Sequence, residues 1–141
     1  MIFSCNNNKN PYINNLGIEP AFVAQIDTAH YTLIQWKDSL IDFGIIKVGD
    51  SVHLKYRFTN TGSTPLFIIS TRPGCGCTVT DFPKDPIMPS KSSFISATLK
   101  SGFHTGELIK TITVVTNTRN HARSVLIIRG LVKAANNSVK Q

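Results

Sequence analysis

Three observations predict an all-β chain folded as an immunoglobulin-like β-sandwich of about seven antiparallel strands. Apolar residues recur at every second position in several segments. Turn-forming Gly, Asn and Pro separate those segments at spacings of roughly 8–12 residues. No stretch of the central chain carries a helical period. The Cys, Trp and Cys framework of antibody domains is missing, so the likeness is one of architecture. The 141 residues divide into a lipoprotein-like segment and disordered tether over 1–30, a sandwich domain over 31–133, and a tail over 134–141.

Regular structure is expected from Tyr31, where Ile34 and Trp36 fall on one side of an extended segment. Asp42 to Ile46 makes a second short strand, with Gly44 marking a bulge or a close approach. Val48-Gly49-Asp50 is turn chemistry. Ser51 to Asn60 is the clearest strand. Val52, Leu54, Tyr56 and Phe58 share one face; His53, Lys55, Arg57 and Thr59 share the other. A helix would scatter those apolar residues around its axis. One dry face and one wet face suit an antiparallel sheet.

After a turn at Asn60-Thr61-Gly62-Ser63, Pro65 to Thr71 reads as the next strand, followed by the compact Cys75-Gly76-Cys77 loop. Pro83, Pro86 and Pro89 then exclude helix, because each fixes φ and removes a donor. The expectation there is an extended connection hugging the surface. Phe94 to Leu99, Leu108 to Thr116 and Ser124 to Val132 complete the strands, with Leu108, Ile112 and Val114 facing inward. Gly130 implies a bulge or a close contact late in the last strand.

An apolar fraction of 41% describes an ordinary globular protein. Fifteen Lys and Arg against eight Asp and Glu give a formal charge of +7. Those cations are scattered along the chain without a basic arm or interleaved aromatics. They read as solvated strand faces, and a nucleic-acid partner is not expected. There is no nucleophile elbow and no phosphate-cradling Gly-rich loop, so no catalytic residue is assigned and no cofactor is expected. Asp81 and Asp85 lie close to the cysteine loop and read as turn chemistry.

Cys5 follows a small residue, with Ile2 three positions ahead, and a polar Asn-rich stretch comes after it. That pattern resembles the end of a bacterial lipoprotein signal, in which the cysteine carries the lipid and a polar tether follows. Cys5 is therefore the lipidation candidate, with the apolar part of the signal expected upstream. On that reading the domain meets the membrane only through its anchor. The protein is expected in the cell envelope, in the periplasm or on the outer membrane.

Several short motifs occur in a characteristic order. They are Trp36-Lys37-Asp38, Asp42-Phe43-Gly44, Phe58-Thr59-Asn60-Thr61-Gly62, Pro65-Leu66, Cys75-Gly76-Cys77-Thr78, Pro86-Ile87, Ile112-Thr113-Val114 and Ile128-Arg129-Gly130-Leu131-Val132. Together they resemble the bacterial domain-of-unknown-function family 1573 over roughly residues 31 to 133. The resemblance implies a small Ig-like sandwich, often exported or lipid-anchored, with no settled activity. More distantly it looks like the modules of PapD and major-sperm-protein type, which bind other proteins. A protein partner is therefore expected. Where the family has Pro-Gly after the proline-rich connection, this chain has Pro89-Ser90, so a turn requiring positive φ would be strained there.

Alternate residues of an extended segment point to one side, so the sulfurs of Cys75 and Cys77 can meet. Three uses stay open: structural thiols or a tight disulfide, a thiol redox pair, and a soft metal site for copper or zinc. Further ligands would have to come from His30, His53, His104 or His121, none spaced to accompany the loop. Asp27-Thr28-Ala29, Asp38-Ser39-Leu40 and Asp50-Ser51-Val52 also resemble acceptors for bacterial O-linked glycans.

Overall fold

The computed structural model describes residues 30–135. They form eight strands: β1 (Ile34–Trp36), β2 (Leu40–Lys47), β3 (Ser51–Asn60), β4 (Ile68–Pro73), β5 (Thr78–Asp81), β6 (Ser92–Lys100), β7 (Gly106–Thr116) and β8 (Arg123–Lys133). Two four-stranded sheets face each other, in the orders β1-β3-β6-β5 and β2-β8-β7-β4. The expected sandwich is present, with one strand more than the sequence suggested and one parallel pairing, β2 with β8. Period two fixes which face a residue takes, and says nothing about the direction of the neighbouring strand.

The core is the sum of the inward faces. Leu54, Tyr56 and Phe58 of β3 and Ile95, Ala97 and Leu99 of β6 meet Leu108, Ile112 and Val114 of β7 and Leu126, Ile128 and Val132 of β8. Trp36 closes one flank with its ring 5.2 Å from that of Phe58, edge to face. Its indole N–H donates to Ser124 Oγ at 3.0 Å. Burial pushes the Tyr56 phenol far above its usual pKa. Its hydroxyl donates to the Ile127 carbonyl at 2.8 Å, which joins the two sheets through the core.

Two glycine-containing motifs are explained by close approach. Asp42 Oδ1 accepts from Gly44 N–H at 2.8 Å, and Gly44 has φ 78°, so the expected bulge forms between Asp42 and Ile45. Phe43 faces inward over β8 in phase with Ile41, and the bulge resets the alternation so that Ile46 also faces in. A Cβ on Gly130 would collide with the Phe43 ring, so the glycine of one motif makes room for the aromatic residue of the other.

Buried asparagines tie one end of the sandwich together. Asn60 is fully buried and uses all four side-chain positions. Its Oδ1 accepts from Thr32 Oγ1 at 2.7 Å and from Gly62 N–H at 3.0 Å. Its Nδ2 donates to the carbonyls of Thr64 at 2.8 Å and Ile87 at 2.9 Å. Asn117 performs the same task on the other sheet, accepting from Phe67 N–H at 2.7 Å and donating to Pro65 O at 3.0 Å. These bonds, with the Leu66 to Ile87 bridge, hold the proline-rich connection against the domain, where Ile87 is buried. Ser90 has φ 70°, the left-handed conformation that favours glycine, so the strain expected at Pro89-Ser90 is present.

Two opposite stability changes are predicted. Asn60→Ala removes four hydrogen bonds, two of them fully buried, and costs about 3 kcal/mol. Ser90→Gly relieves the left-handed residue and stabilises by about 0.5–1 kcal/mol after the entropy cost of glycine is deducted. Urea unfolding midpoints at constant m-value measure both; a Ser90→Gly variant less stable than the parent contradicts the strain argument.

Candidate functional site

The cysteine loop lies where the chain leaves the second sheet at the end of β4 and enters the first at β5. Cys75 and Cys77 are joined by a disulfide, with Cα atoms 5.4 Å apart. Gly74 N–H donates to Thr111 O at 2.8 Å, and the Cys77 carbonyl accepts from Lys100 N–H at 2.9 Å, so each side of the loop is fastened to a different sheet. A Cβ on Gly74 would sit 3.1 Å from Thr111 Oγ1, tight enough to favour glycine at that approach. Cys77 is half-buried against the core. Beyond the loop, Thr71 and Thr80 hydroxyls lie 2.7 Å apart and bridge β4 to β5.

The other sequence-selected residues are dispersed. His53 projects from the outer face of the first sheet, its Nδ1 3.1 Å from Thr98 Oγ1. His104 Nε2 lies 3.0 Å from the Glu107 carbonyl. Among the described residues no three His, Cys, Asp or Glu side chains gather to hold a metal ion. In the disulfide, neither sulfur is the thiolate that a soft metal binds. Asp81 Oδ1 accepts from Phe82 N–H at 3.0 Å, as a turn residue does. Asp38 of one glycan-like motif receives Arg57 Nε–H at 2.8 Å, and that hydrogen bond holds its carboxyl below the usual range. Asp50 of another accepts from Lys47 N–H at 3.0 Å. Cys5 and Asp27-Thr28-Ala29 lie outside the described residues.

The strand edges are guarded. Asn120 side-chain atoms occupy both backbone groups of Ile34 in β1, accepting its N–H at 3.2 Å and donating to its carbonyl at 2.8 Å. In β2 the amides of Gly44 and Lys47 are taken by the Asp42 and Asp50 carboxylates. A register shift between Ile68 and Ser70 and the terminal Pro73 interrupt β4, and β5 is four residues long. Bulges, proline and shortness all discourage an added strand. A groove of about 660 Å³ beside β1 is lined by Trp36, Asn120, His121 and Arg123 among others. The Ser124 hydroxyl there is engaged by the Trp36 indole rather than by an imidazole.

The two outer faces differ in their share of exposed apolar side chains. On the first sheet, β3 presents Ser51, His53, Lys55, Arg57 and Thr59, the wet face anticipated from sequence, and Phe94 of β6 and Val79 of β5 are the exposed apolar residues beside it. On the second, the outward side of β7 and β8 mixes Ile109, Val115, Val125, Ile127 and Leu131 with threonines and charged residues. Ladder pairing places Leu40 beside Ile127, Ile45 beside Leu131, and Val125 beside Thr113. Ile45 is 62% exposed, Ile109 57% and Val125 53%. Arg129 crosses this band and pairs with Asp42 at 3.2 Å. A depression of about 490 Å³ lies at one end, between Ile45, Glu107, Arg129 and Leu131. A second of about 260 Å³ lies at the other, between Ser70, Arg72, Thr113 and Arg123. The signal for this face was in the sequence: Val125-Leu126-Ile127-Ile128 is a continuous apolar run of the kind strands show when both faces are covered.

This is an Ig-like sandwich, and solved structures share its fold, a PapD-like domain among them. The chain belongs to the family described as protein of unknown function (DUF1573), whose model matches residues 34–132. A protein of unknown function from Porphyromonas gingivalis W83 has a TM-score of 0.63 at 12% identity over 74% of this chain. That match covers 48% of the other protein, so this chain spans about half its length. The PapD-like domain 7 of human CEP192 gives a TM-score of 0.55 at 15% identity, over 74% of this chain and 88% of that one. Vibrio cholerae VesB protease gives 0.54 at 11% identity over 71% of this chain and 31% of the protease. At such identities the likeness is one of fold. No curated protein matches the chain in sequence.

The disulfide closes a very short loop, so chain entropy assigns it about 1–2 kcal/mol. The Cys75→Ser, Cys77→Ser double variant is predicted to stay folded with a loss of that size in urea. Without reductant, neither thiol of the parent should take up iodoacetamide; labelling of native protein at either position contradicts the disulfide.

Proposed function

We propose that the domain is a non-enzymatic protein-interaction module of the bacterial cell envelope, tethered through Cys5 and docking its partner on the outer face of the second sheet. The observation that carries the reading is the group of exposed aliphatic side chains on the second sheet, Leu40, Ile45, Ile109, Val125 and Leu131 with half-buried Ile127 among them, against two, Val79 and Phe94, on the outer face of the first. Contiguous exposed apolar surface of this kind marks an interaction site. The guarded edges favour a face over strand addition, the other mode a sandwich offers. The envelope location is supported by the Cys75–Cys77 disulfide, since such bonds persist in oxidising compartments, and by the lipoprotein-like residues around Cys5.

A second reading, a thiol redox role for Cys75 and Cys77, is favoured by the same half-buried disulfide at a surface loop. It predicts a reversible dithiol form under physiological dithiols, which a bond serving only the loop does not require.

A photo-crosslinking residue at position 109 or 127, in the full chain expressed in its own cells, should give a discrete protein adduct, and one at position 55 should not. Ile109→Asp should leave folding within about 0.5 kcal/mol of the parent while weakening partner binding by about 2 kcal/mol. Equal adducts from both faces would count against the docking face. For the anchor, Cys5→Ala should abolish palmitate labelling and move the protein out of the membrane fraction.

A further inference from the structure

The next step rests on the docking reading above and concerns the chemistry of the partner. We infer that the outer face of the second sheet takes an acidic protein surface, apolar at its centre and carrying carboxylates toward both ends of β8. The charges on this face are Lys47, Arg72, Arg123, Arg129 and Lys133 against Asp42 and Glu107. Their distribution is ordered. Lys47 and Lys133 are cross-strand neighbours at one end, and Arg72 and Arg123 sit with the small depression at the other. Arg129 and Glu107 line the larger depression on the Lys133 side, where the Arg129 guanidinium is held by Asp42.

The apolar side chains lie between these cationic ends. Arg123 to Lys133 spans ten residue steps of β8, about 33 Å at strand rise. An occupant must therefore be extended or sheet-like, about ten residues long where it touches, with apolar side chains toward the band and acidic ones at the ends.

Two other occupants fit less well. A second copy of this chain would bring two net-cationic faces together, and like charges across an interface are costly. An anionic bilayer would satisfy the cations. However, surfaces that enter the lipid interface use Trp, Tyr or Phe, and the outward positions of these four strands hold none; Phe43 of β2 points inward. Flat aliphatic surface rimmed by charge suits sheet-on-sheet contact.

The test uses two synthetic peptides of about ten residues, one alternating Val with Glu and one alternating Val with Lys, titrated into the isotopically labelled full chain at low salt. The acidic peptide should shift amides of β7 and β8 and bind at least about tenfold more tightly than the basic one. An Arg123→Glu, Lys133→Glu variant should lose about tenfold for the acidic peptide and gain for the basic one. Equal binding of both peptides to this face, abolished by Ile109→Asp, would overturn the acidic partner and leave the docking face standing. Absence of peptide binding, or shifts confined to the first sheet, overturns the inference. So does binding to phosphatidylglycerol vesicles through β7 and β8 in place of the acidic peptide. A dimer in sedimentation equilibrium that Ile109→Asp disperses overturns it in favour of a second copy.

Discussion

The arrangement depends on a buried asparagine. Asn60 ends the strand that carries the two largest fully buried side chains, Tyr56 and Phe58, and burial leaves its amide no water to bond. Each of its four partners therefore has to be in place: the threonine before β1, two groups of the turn that follows, and a carbonyl of the proline-rich connection. Apolar packing would tolerate small shifts of these segments, whereas a four-bonded amide fixes one arrangement. Gly62 belongs to the same constraint, because any side chain there would run into Thr32. The Asn-Thr-Gly motif is thus one structural device, and Asn117 repeats its logic on the opposite sheet.

With that end pinned, the chain can spend its edges and faces differently. Side-chain amides and carboxylates, a bulge and a proline close the edges, at some expense in strand length. The faces divide, the first polar along β3 and the second carrying more of the exposed aliphatic side chains between cationic ends. On the docking reading proposed above, those aliphatic side chains are the ones a partner would cover. The Asp42 carboxylate links the two themes, closing the β2 bulge with one oxygen and holding Arg129 across the apolar band with the other.

Much of the fold was legible from residue patterns. Strict alternation located β3 to the residue, and the proline-rich connection and the bulge at Gly44 were readable from backbone chemistry. β5 was missed because four residues directly after the cysteine loop carry too short a period to register. β4 begins at Ile68 rather than Pro65, because Leu66 pairs with Ile87 and Phe67 is taken by Asn117. Such long-range claims on backbone groups leave no local trace. Of the candidate site, the cysteine loop stood out at once by composition, whereas the docking face did not. Its members come from β2, β7 and β8, and only strand pairing sets Leu40 beside Ile127.

The sequence by itself determined the architecture, the loop that crosses between sheets, and the family, because alternation, turn residues and motif order are local properties. It also held the strain at Ser90, a non-glycine residue at positive φ. Tertiary structure alone decided that β2 runs parallel to β8, that the edges are closed, and that Leu40, Ile45, Ile109, Val125 and Leu131 share one outer face. Those facts depend on which strands become neighbours. Neighbours separated by eighty residues are chosen by core packing and buried hydrogen bonds rather than by the residues beside them in the chain.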